Sequence, residues 1–297
     1  MRKVSFAAFG APEVLTLITT DKPQPGSGQI RIVVKAAGVN PVDWRIREGQ
    51  RQATHPIALP SGIGQDASGV VDEIGEGVEG VAVGDLVFGR GFETYAEYAL
   101  LTSWAPISDG LSFEEAAGYP SVVETALRAI HEVRVQPGET LLISGGSGGV
   151  GSAAVQIARA RGITVIATAG SSNQDYLRDL GAVPTTYGDG WVNRVRQIGR
   201  VDAAIDIAGS GVIADLVELT GDANKVVTIA DLAAPEHGVR FLGVGGDMFS
   251  ALAVAGDLIR DGRLVIPIDT VYPLAEAAAA QADSQAGHTR GRRVLVP

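Results

Sequence analysis

The densest chemical signal in the chain is Leu141-Leu142-Ile143-Ser144-Gly145-Gly146-Ser147-Gly148-Gly149-Val150-Gly151, an apolar run that breaks into glycines. Gly146, Gly148 and Gly151 fit G-x-G-x-x-G, and Gly145, Gly148 and Gly151 fit a G-x-x-G-x-x-G register. Such spacing serves a pyrophosphate. The turn from strand to helix must be tight, the backbone must approach the ligand without a Cβ in the way, and the helix must pack closely on the strand. Beyond the glycines, Val150, Ala153, Ala154, Ile157 and Ala158 mark one helical face, and Gly162 stands where a helix C-cap is expected. A glycine-rich turn without a ligand is the alternative for the same residues.

The end of the next strand reports which dinucleotide is held. Sites for the non-phosphorylated cofactor place Asp or Glu about 20 residues beyond the glycines, on the ribose 2′-hydroxyl. Here the corresponding stretch is Ala167-Thr168-Ala169-Gly170-Ser171-Ser172-Asn173, and no acid occurs until Asp175. Hydroxyls and an amide accept a 2′-phosphate that a carboxylate would repel, so the stretch predicts NADPH. One of Ser171, Ser172 and Asn173 is also expected to cap the following helix.

Other chemistries are poorly supplied. There are no cysteines, hence no thiol nucleophile, disulfide or thiolate metal site, and the four histidines are scattered without H-x-x-x-H spacing. No metal site is expected. With 34 acidic against 24 basic residues the formal net charge is −10, which opposes nucleic-acid binding and leaves an anionic cofactor to be held locally by backbone amides. No stretch of about 18 apolar residues could span a bilayer. The first residues have a basic start but no apolar core before Pro12 and Glu13, so the expectation is a cytoplasmic chain without a membrane partner.

The elements that must position these groups divide the chain. Up to about residue 110, short apolar runs at Gln29–Ala36, Ser68–Ile74 and Val81–Phe88 alternate with glycine-rich turns, the pattern of a compact β barrel. Ser112-x-x-Glu115 is a capping box, and a second helix is expected over Val122–Glu132. Strands at Thr140–Ile143, Thr164–Thr168, Val201–Ile207, Lys225–Ile229 and Val239–Leu242 then alternate with helices at Gly149–Arg161, Gln174–Leu180, Trp191–Ile198 and Val212–Leu219. That alternation predicts an α/β unit with a doubly wound parallel sheet. After a helix at Met248–Arg260, β character returns at Val265–Ile268 and Arg293–Val296, around an alanine-rich helix at Ala275–Ala282. The expected division is 1–115 with 263–297 as a mainly β substrate domain formed by both chain ends, and 116–262 as the dinucleotide-binding domain.

Several further stretches lie in order along nearly the whole chain: Ala37-Gly38-Val39-Asn40-Pro41-Val42-Asp43-Trp44, Gly64-Gln65-Asp66-Ala67-Ser68-Gly69, Gly75-x-Gly77-Val78 to Gly84-Asp85, Glu124-Thr125-Ala126, Tyr176-Leu177-x-x-Leu180-Gly181-Ala182 and Gly287-His288-Thr289-Arg290-Gly291. With the glycine loop they make the chain resemble the zinc-independent quinone oxidoreductase branch of the medium-chain dehydrogenase/reductase superfamily. The resemblance implies a Rossmann-type sheet plus a GroES-like barrel. It places Asn40 and Thr125 on the nicotinamide ribose and phosphate, Gly148, Gly149 and Val150 on the pyrophosphate, and Ser171 and Tyr187 about the 2′-phosphate. Ala208, Ile229 and Ala230 would lie at strand ends beside the cofactor, and Phe241 to Val244 would approach the nicotinamide. Asn40, Asp43 and Trp44 would face substrate. Ordinary packing is the alternative for the apolar positions, and a surface ion pair the alternative for Asp43 with Arg45.

Zinc-dependent relatives carry a cysteine ligand after the first motif and Gly-His-Glu where this chain has Gly64-Gln65-Asp66. Both ligands are absent here. Many relatives also carry tyrosines after the first motif's Asp, where this chain has Arg45 and Arg51. No single catalytic side chain is assigned. The resemblance implies hydride transfer from NADPH to a small-molecule quinone or an activated C=C bond, and a homodimer paired through the run at Phe241. An enoyl reductase of polyketide-like biosynthesis and a non-catalytic NADPH-binding protein are the competing readings.

Overall fold

The computed structural model describes residues 1–53, 56–243, 245–287 and 289–297. In chain order the first strands and helices are β1 (Arg2–Phe6), β2 (Thr16–Thr19), β3 (Ile30–Val39), α1 (Pro41–Arg47), β4 (Ser61–Gly62), β5 (Asp66–Ile74), β6 (Leu86–Phe92), β7 (Tyr98–Pro106), α2 (Phe113–Ala117) and α3 (Pro120–Glu132). A βα succession follows: β8 (Thr140–Ser144), α4 (Gly149–Ala160), β9 (Thr164–Ala169), α5 (Gln174–Asp179), β10 (Val183–Thr186), α6 (Trp191–Ile198), β11 (Ala203–Asp206), α7 (Ile213–Thr220), β12 (Val226–Thr228) and β13 (Arg240–Phe241). The chain closes with α8 (Met248–Arg260), β14 (Ile268–Pro273), α9 (Ala277–Ala286) and β15 (Arg292–Val296). It forms two compact units, 1–121 with 248–260 and 266–297, and 122–247 with 261–265.

In the first unit a sheet of order β14-β15-β3-β5-β6-β7 closes on itself where β7 also pairs with β3. A smaller antiparallel sheet, β2-β1-β4, accompanies it. Strand β3 is the spine. Ile30, Ile32, Val34, Ala37 and Val39 are buried together with Phe6, Val71, Tyr95, Leu101 and Leu295 in one apolar cluster. Both chain ends enter that cluster because β15 pairs antiparallel with β3, Arg293 lying opposite Val39.

Helix α1 was not expected from periodicity, but its entry is chemically marked. Pro41 occupies the first turn, where a missing N–H costs nothing, and Asp43 Oδ2 accepts the Asn40 N–H at 2.8 Å. Its last residue, Arg47, is fully buried. The guanidinium donates to Gly10 O at 3.0 Å, to Gln281 Oε1 at 3.0 Å and to Gln285 Oε1 at 3.1 Å, and pairs with Glu48 at 3.0 Å. A buried guanidinium is tolerated only when its donors are satisfied, so these bonds fasten α1 to α9.

The second unit contains the parallel sheet β10-β9-β8-β11-β12-β13. Counted from β8 as first strand, this is the order 3-2-1-4-5-6 of the Rossmann fold, with its reversal between β8 and β11. Leu142, Ile166, Ala204 and Val226 are buried in it against Ile213 and Leu216 of α7 and Val195 of α6. Two-residue β13 is one edge of the sheet and β10 the other.

Three sequence boundaries shift for local reasons. The run expected at Val81–Phe88 is a regular strand only from Leu86, because Asp85 Oδ2 accepts from Ala82 N and turns the backbone before Gly84 and Asp85 bond Val71. Residues 265–267 are not a strand: Gln156 takes both backbone groups of Val265, and Pro267 has no N–H. The alanine-rich helix starts after a 3-10 turn at Leu274–Glu276 and runs over Ala277–Ala286. The capping box is present as expected, with Ser112 Oγ accepting from Glu115 N at 3.2 Å.

Candidate cofactor and substrate sites

In the second unit, β8 ends at Ser144 and the chain turns at Gly145, whose φ is 88°. Gly145 N donates to Thr168 Oγ1 and Gly146 N to Thr168 O, at 3.2 and 2.9 Å, so the glycine turn is bolted to the end of β9. A Cβ on Gly151 would lie 2.1 Å from Gly145 O, which no side chain survives. A Cβ on Gly148 would meet nothing within 4 Å. Two glycines in one loop thus do different work: Gly151 permits helix-on-turn packing, and Gly148 leaves open space at the N-terminus of the twelve-residue α4. Gly148, Gly149 and Val150 are all partly exposed there. A pyrophosphate fits this cradle, since unpaired helix amides and the helix dipole both favour an anion.

Beyond β9 the chain makes a 3-10 turn, Ser171–Asn173, before α5. Ser171 and Ser172 are exposed. Asn173 occupies the cap position of α5 without a side-chain cap bond; its amide instead stands 3.5 Å from Ser147 Oγ in the glycine loop. Tyr187, 56% exposed, follows β10, and its hydroxyl lies 3.6 Å from where a Cβ on Gly170 would be. Ser171 and Tyr187, sixteen positions apart in sequence numbering, are therefore brought to one place by the parallel pairing of β9 with β10.

The strand ends of β11 and β12 are braced by a pair that sequence reading missed. Asp206, fully buried, accepts from Thr228 Oγ1 at 2.8 Å and from Gly209 N at 3.1 Å; Thr228 Oγ1 in turn accepts from Ala230 N and Asp231 N, both at 3.0 Å. These bonds fix the backbone that carries Ala208, Ile229 and Ala230. Acidic and hydroxyl residues at the ends of adjacent apolar strands were the available signal. On α3, half-buried Thr125 donates to Glu124 Oε2 at 3.4 Å, while Glu124 is held by Arg128 at 2.7 Å. Val244 lies outside the described residues.

In the first unit Asn40, 4% exposed, is the hinge of a buried polar cluster. Its Nδ2 donates to Asp66 Oδ2 and its Oδ1 accepts from Arg292 Nη2, each at 2.9 Å. Asp66 accepts further from the Ser121 hydroxyl at 2.6 Å, and Arg292 stands 3.7 Å from it. Asp43 is also fully buried. Besides the Asn40 N–H, its Oδ2 accepts the Tyr95 hydroxyl at 2.8 Å, while Oδ1 has no partner among the described residues. Burial pushes its carboxyl up to about 7, against the lowering pull of those two bonds. Burial likewise raises the Tyr95 hydroxyl, helped by Asp43, and lowers the Arg292 guanidinium. The surface ion pair considered for Asp43 with Arg45 does not form; Arg45 lies over the Trp44 ring, 5.2 Å from its centroid. Where a zinc ligand would stand in metal-dependent relatives, Gln65 Oε1 accepts from Arg90 Nη2 at 2.7 Å. Among the described residues no group of three or more His, Asp or Glu could hold a metal, and no helix is long and apolar enough to cross a membrane.

The chain matches the family of alcohol dehydrogenase GroES-like domains over residues 26–109 and that of zinc-binding dehydrogenases over 180–295. It is 32% identical to the quinone oxidoreductase of Rattus norvegicus across 95% of this chain and 93% of that one. The structure of the quinone oxidoreductase from Coxiella burnetii superposes with a TM-score of 0.87 at 32% identity, covering 100% of this chain and 99% of that one. Mycobacterial Rv1454c, solved in complex with NADPH, superposes with a TM-score of 0.84 at 29% identity over all of both chains. The chain belongs to the quinone oxidoreductase family of oxidoreductases within the medium-chain dehydrogenase/reductase superfamily.

The Asp43 carboxyl sets a pH dependence. The folded protein keeps this proton up to about 7, whereas the unfolded chain releases it near 3.8. The folded state therefore binds more protons between those values; the contribution is fully present below the lower one and is lost as pH rises through the upper. In urea unfolding, wild type should lose stability between pH 5 and 8, and Asp43→Asn should lose about 2–3 kcal/mol less over that window. Equal losses in the two proteins would contradict the assignment.

Proposed function

We propose that this protein is an NADPH-dependent reductase that delivers hydride to a quinone or to a C=C bond conjugated with a carbonyl, without zinc. The carrying observation is the ribose end of the cofactor cradle: Ser171 and Tyr187 lie together beside Gly170, and the turn contains no carboxylate. In this reading 116–262 holds the cofactor and 1–115 with 263–297 the substrate. Bound NADPH supplies the hydride. The amides of Gly148, Gly149 and Val150 hold its pyrophosphate, and hydroxyls of Ser171 and Tyr187 hold the 2′-phosphate. Ala208, Ile229 and Ala230 give the nicotinamide an apolar surface that excludes water; Val244, the further candidate, lies outside the described residues. Asn40 and Thr125 orient the ribose. Trp44 offers the acceptor an apolar face, and Asp43 acts through Asn40, since both of its contacts are internal to the protein.

A quinone or enone is electrophilic already, so hydride transfer needs positioning rather than a Lewis acid, and the second proton comes from water. The Gln65–Arg90 amide–guanidinium pair and the lack of cysteine support the zinc-free reading. The fully purified protein should oxidise NADPH with 1,4-benzoquinone or a 2-alkenal and keep that rate after exhaustive chelation. Turnover confined to a crotonyl thioester would assign an enoyl reductase instead, and NADPH binding without turnover on any acceptor would assign a non-catalytic role.

Hydrogen bonds to a charged group contribute about 1.5–3 kcal/mol each, and every 1.4 kcal/mol is about tenfold. One or two such bonds to the 2′-phosphate give NADPH a preference in kcat/KM of roughly 10- to 1,000-fold over NADH. Ser171→Asp should narrow or reverse it; equal kcat/KM for the two cofactors in wild type would refute the reading.

Edge strand β13 leads into Leu242-Gly243-Val244-Gly245-Gly246, a stretch without a charge to block edge-to-edge pairing. A homodimer joined there is expected, and a monomeric mass by light scattering at micromolar concentration would count against it.

A further inference from the structure

The stretch read as the 2′-phosphate turn contains no lysine or arginine, but an arginine binds the neighbouring loop that carries Tyr187. Arg194, in the first turn of α6, reaches back over the loop that follows β10. Its Nη1 donates to Asp189 O at 2.7 Å, and its Nη2 lies 3.0 Å from Thr186 O, 3.3 Å from Tyr187 O and 3.4 Å from Gly188 O. Gly188 and Gly190, with φ of 86° and 73°, curl the backbone around the guanidinium. Every one of these partners is a neutral carbonyl, so none of them cancels the charge. The Nε–H is buried without a partner among the described residues. From the other side, Gln174 Nε2 donates to Ala169 O, Gly170 O and Thr185 O at 3.0, 3.2 and 3.3 Å, tying the end of β9 to the end of β10.

The geometry points to Arg194 as the specificity-determining positioning residue of this site: it fixes the 186–189 backbone so that the Tyr187 hydroxyl stands over Gly170, and it adds a positive charge on the loop that faces a turn without one. This inference rests on the NADPH reading and deepens it. Tyr187 is exposed and follows the last residue of its strand, so nothing in the sheet ladder holds its ring. The planar fork of the guanidinium holds the backbone that carries it, by binding successive carbonyls at fixed angles, a geometry that an ammonium group cannot reproduce. In a chain of net charge −10, a cation bonded to carbonyls of the adjoining loop also lowers the cost of bringing a phosphate dianion to this region.

The test separates the phosphate from the rest of the cofactor by using 2′,5′-ADP and 5′-AMP as probes in titration calorimetry. Wild type should bind 2′,5′-ADP more tightly than 5′-AMP. Arg194→Met should weaken 2′,5′-ADP about 10- to 100-fold and leave 5′-AMP within about twofold; Arg194→Lys, which keeps the charge and loses the fork, should recover only part of the loss. Because Arg194 works through Tyr187, the losses in Arg194→Met and Tyr187→Phe should be less than additive in the double variant. Unchanged 2′,5′-ADP binding in Arg194→Met, or an equal loss for both probes, would overturn the role of Arg194 while leaving the NADPH reading intact. Failure of wild type to distinguish the two probes would overturn both.

Discussion

Arg292 carries a full charge into the interior of the first unit, where a buried polar cluster answers its Nη2 while its Nε–H has no partner among the described residues. Its guanidinium donates to the Asn40 carbonyl, the Asn40 amide donates to Asp66, and Asp66 accepts from Ser121. The four residues come from the last strand, the end of β3, the start of β5 and the start of α3. A group of this kind tolerates no missing member, because each deletion strands a buried charge or an unpaired polar atom at a cost of about 1–3 kcal/mol or more. The cluster thereby sets where β3 ends and holds the Asn40 backbone where α1 can begin. Close packing enforces it as well: a Cβ on Gly38 would lie 2.5 Å from Ala117 O and 3.0 Å from Arg292 Nη2.

The second unit solves a related problem with backbone rather than charge. Parallel strands leave their C-terminal ends ragged, and each ragged end here is bound to a neighbour. Thr168 holds the glycine turn, Asp206 and Thr228 hold the loops after β11 and β12, and Gln174 holds the ends of β9 and β10. A rigid rim follows, on which exposed groups such as Ser171 and Tyr187 occupy fixed places with little secondary structure of their own. Groups held in this way lose little freedom when a ligand arrives.

Much of this was legible in the sequence. Strand–glycine–helix alternation from Thr140 onward implied the parallel sheet, and five of its strands fall within a few residues of the expected places because buried runs of branched and small apolar residues have no other use there. The glycine loop was legible because its requirement is local: a tight turn, a close approach and a helix start within eleven positions. The boundaries that moved, at Val81–Asp85 and at residues 265–267, are those where a single distant or turn-forming side chain claims backbone groups that periodicity assigns to a strand.

By itself the sequence determined the βα alternation, the Gly145–Gly151 cradle, the absence of an acid across Thr168–Asn173 and the lack of thiolate chemistry, because each depends on residues adjacent in the chain. Only the tertiary structure decided that Asp43 is a buried internal carboxyl, that Arg47 and Arg292 are buried charges bonded to distant side chains, that the Tyr187 hydroxyl lies against Gly170, and that Arg194 folds back onto the carbonyls of 186–189. These facts depend on strand register and on helices returning over strands. Gly10 with Arg47, Tyr95 with Asp43 and Asn40 with Arg292 lie 37, 52 and 252 positions apart, and neither periodicity nor local motif carries information over such separations: the bond is selected only after packing has brought its two ends together.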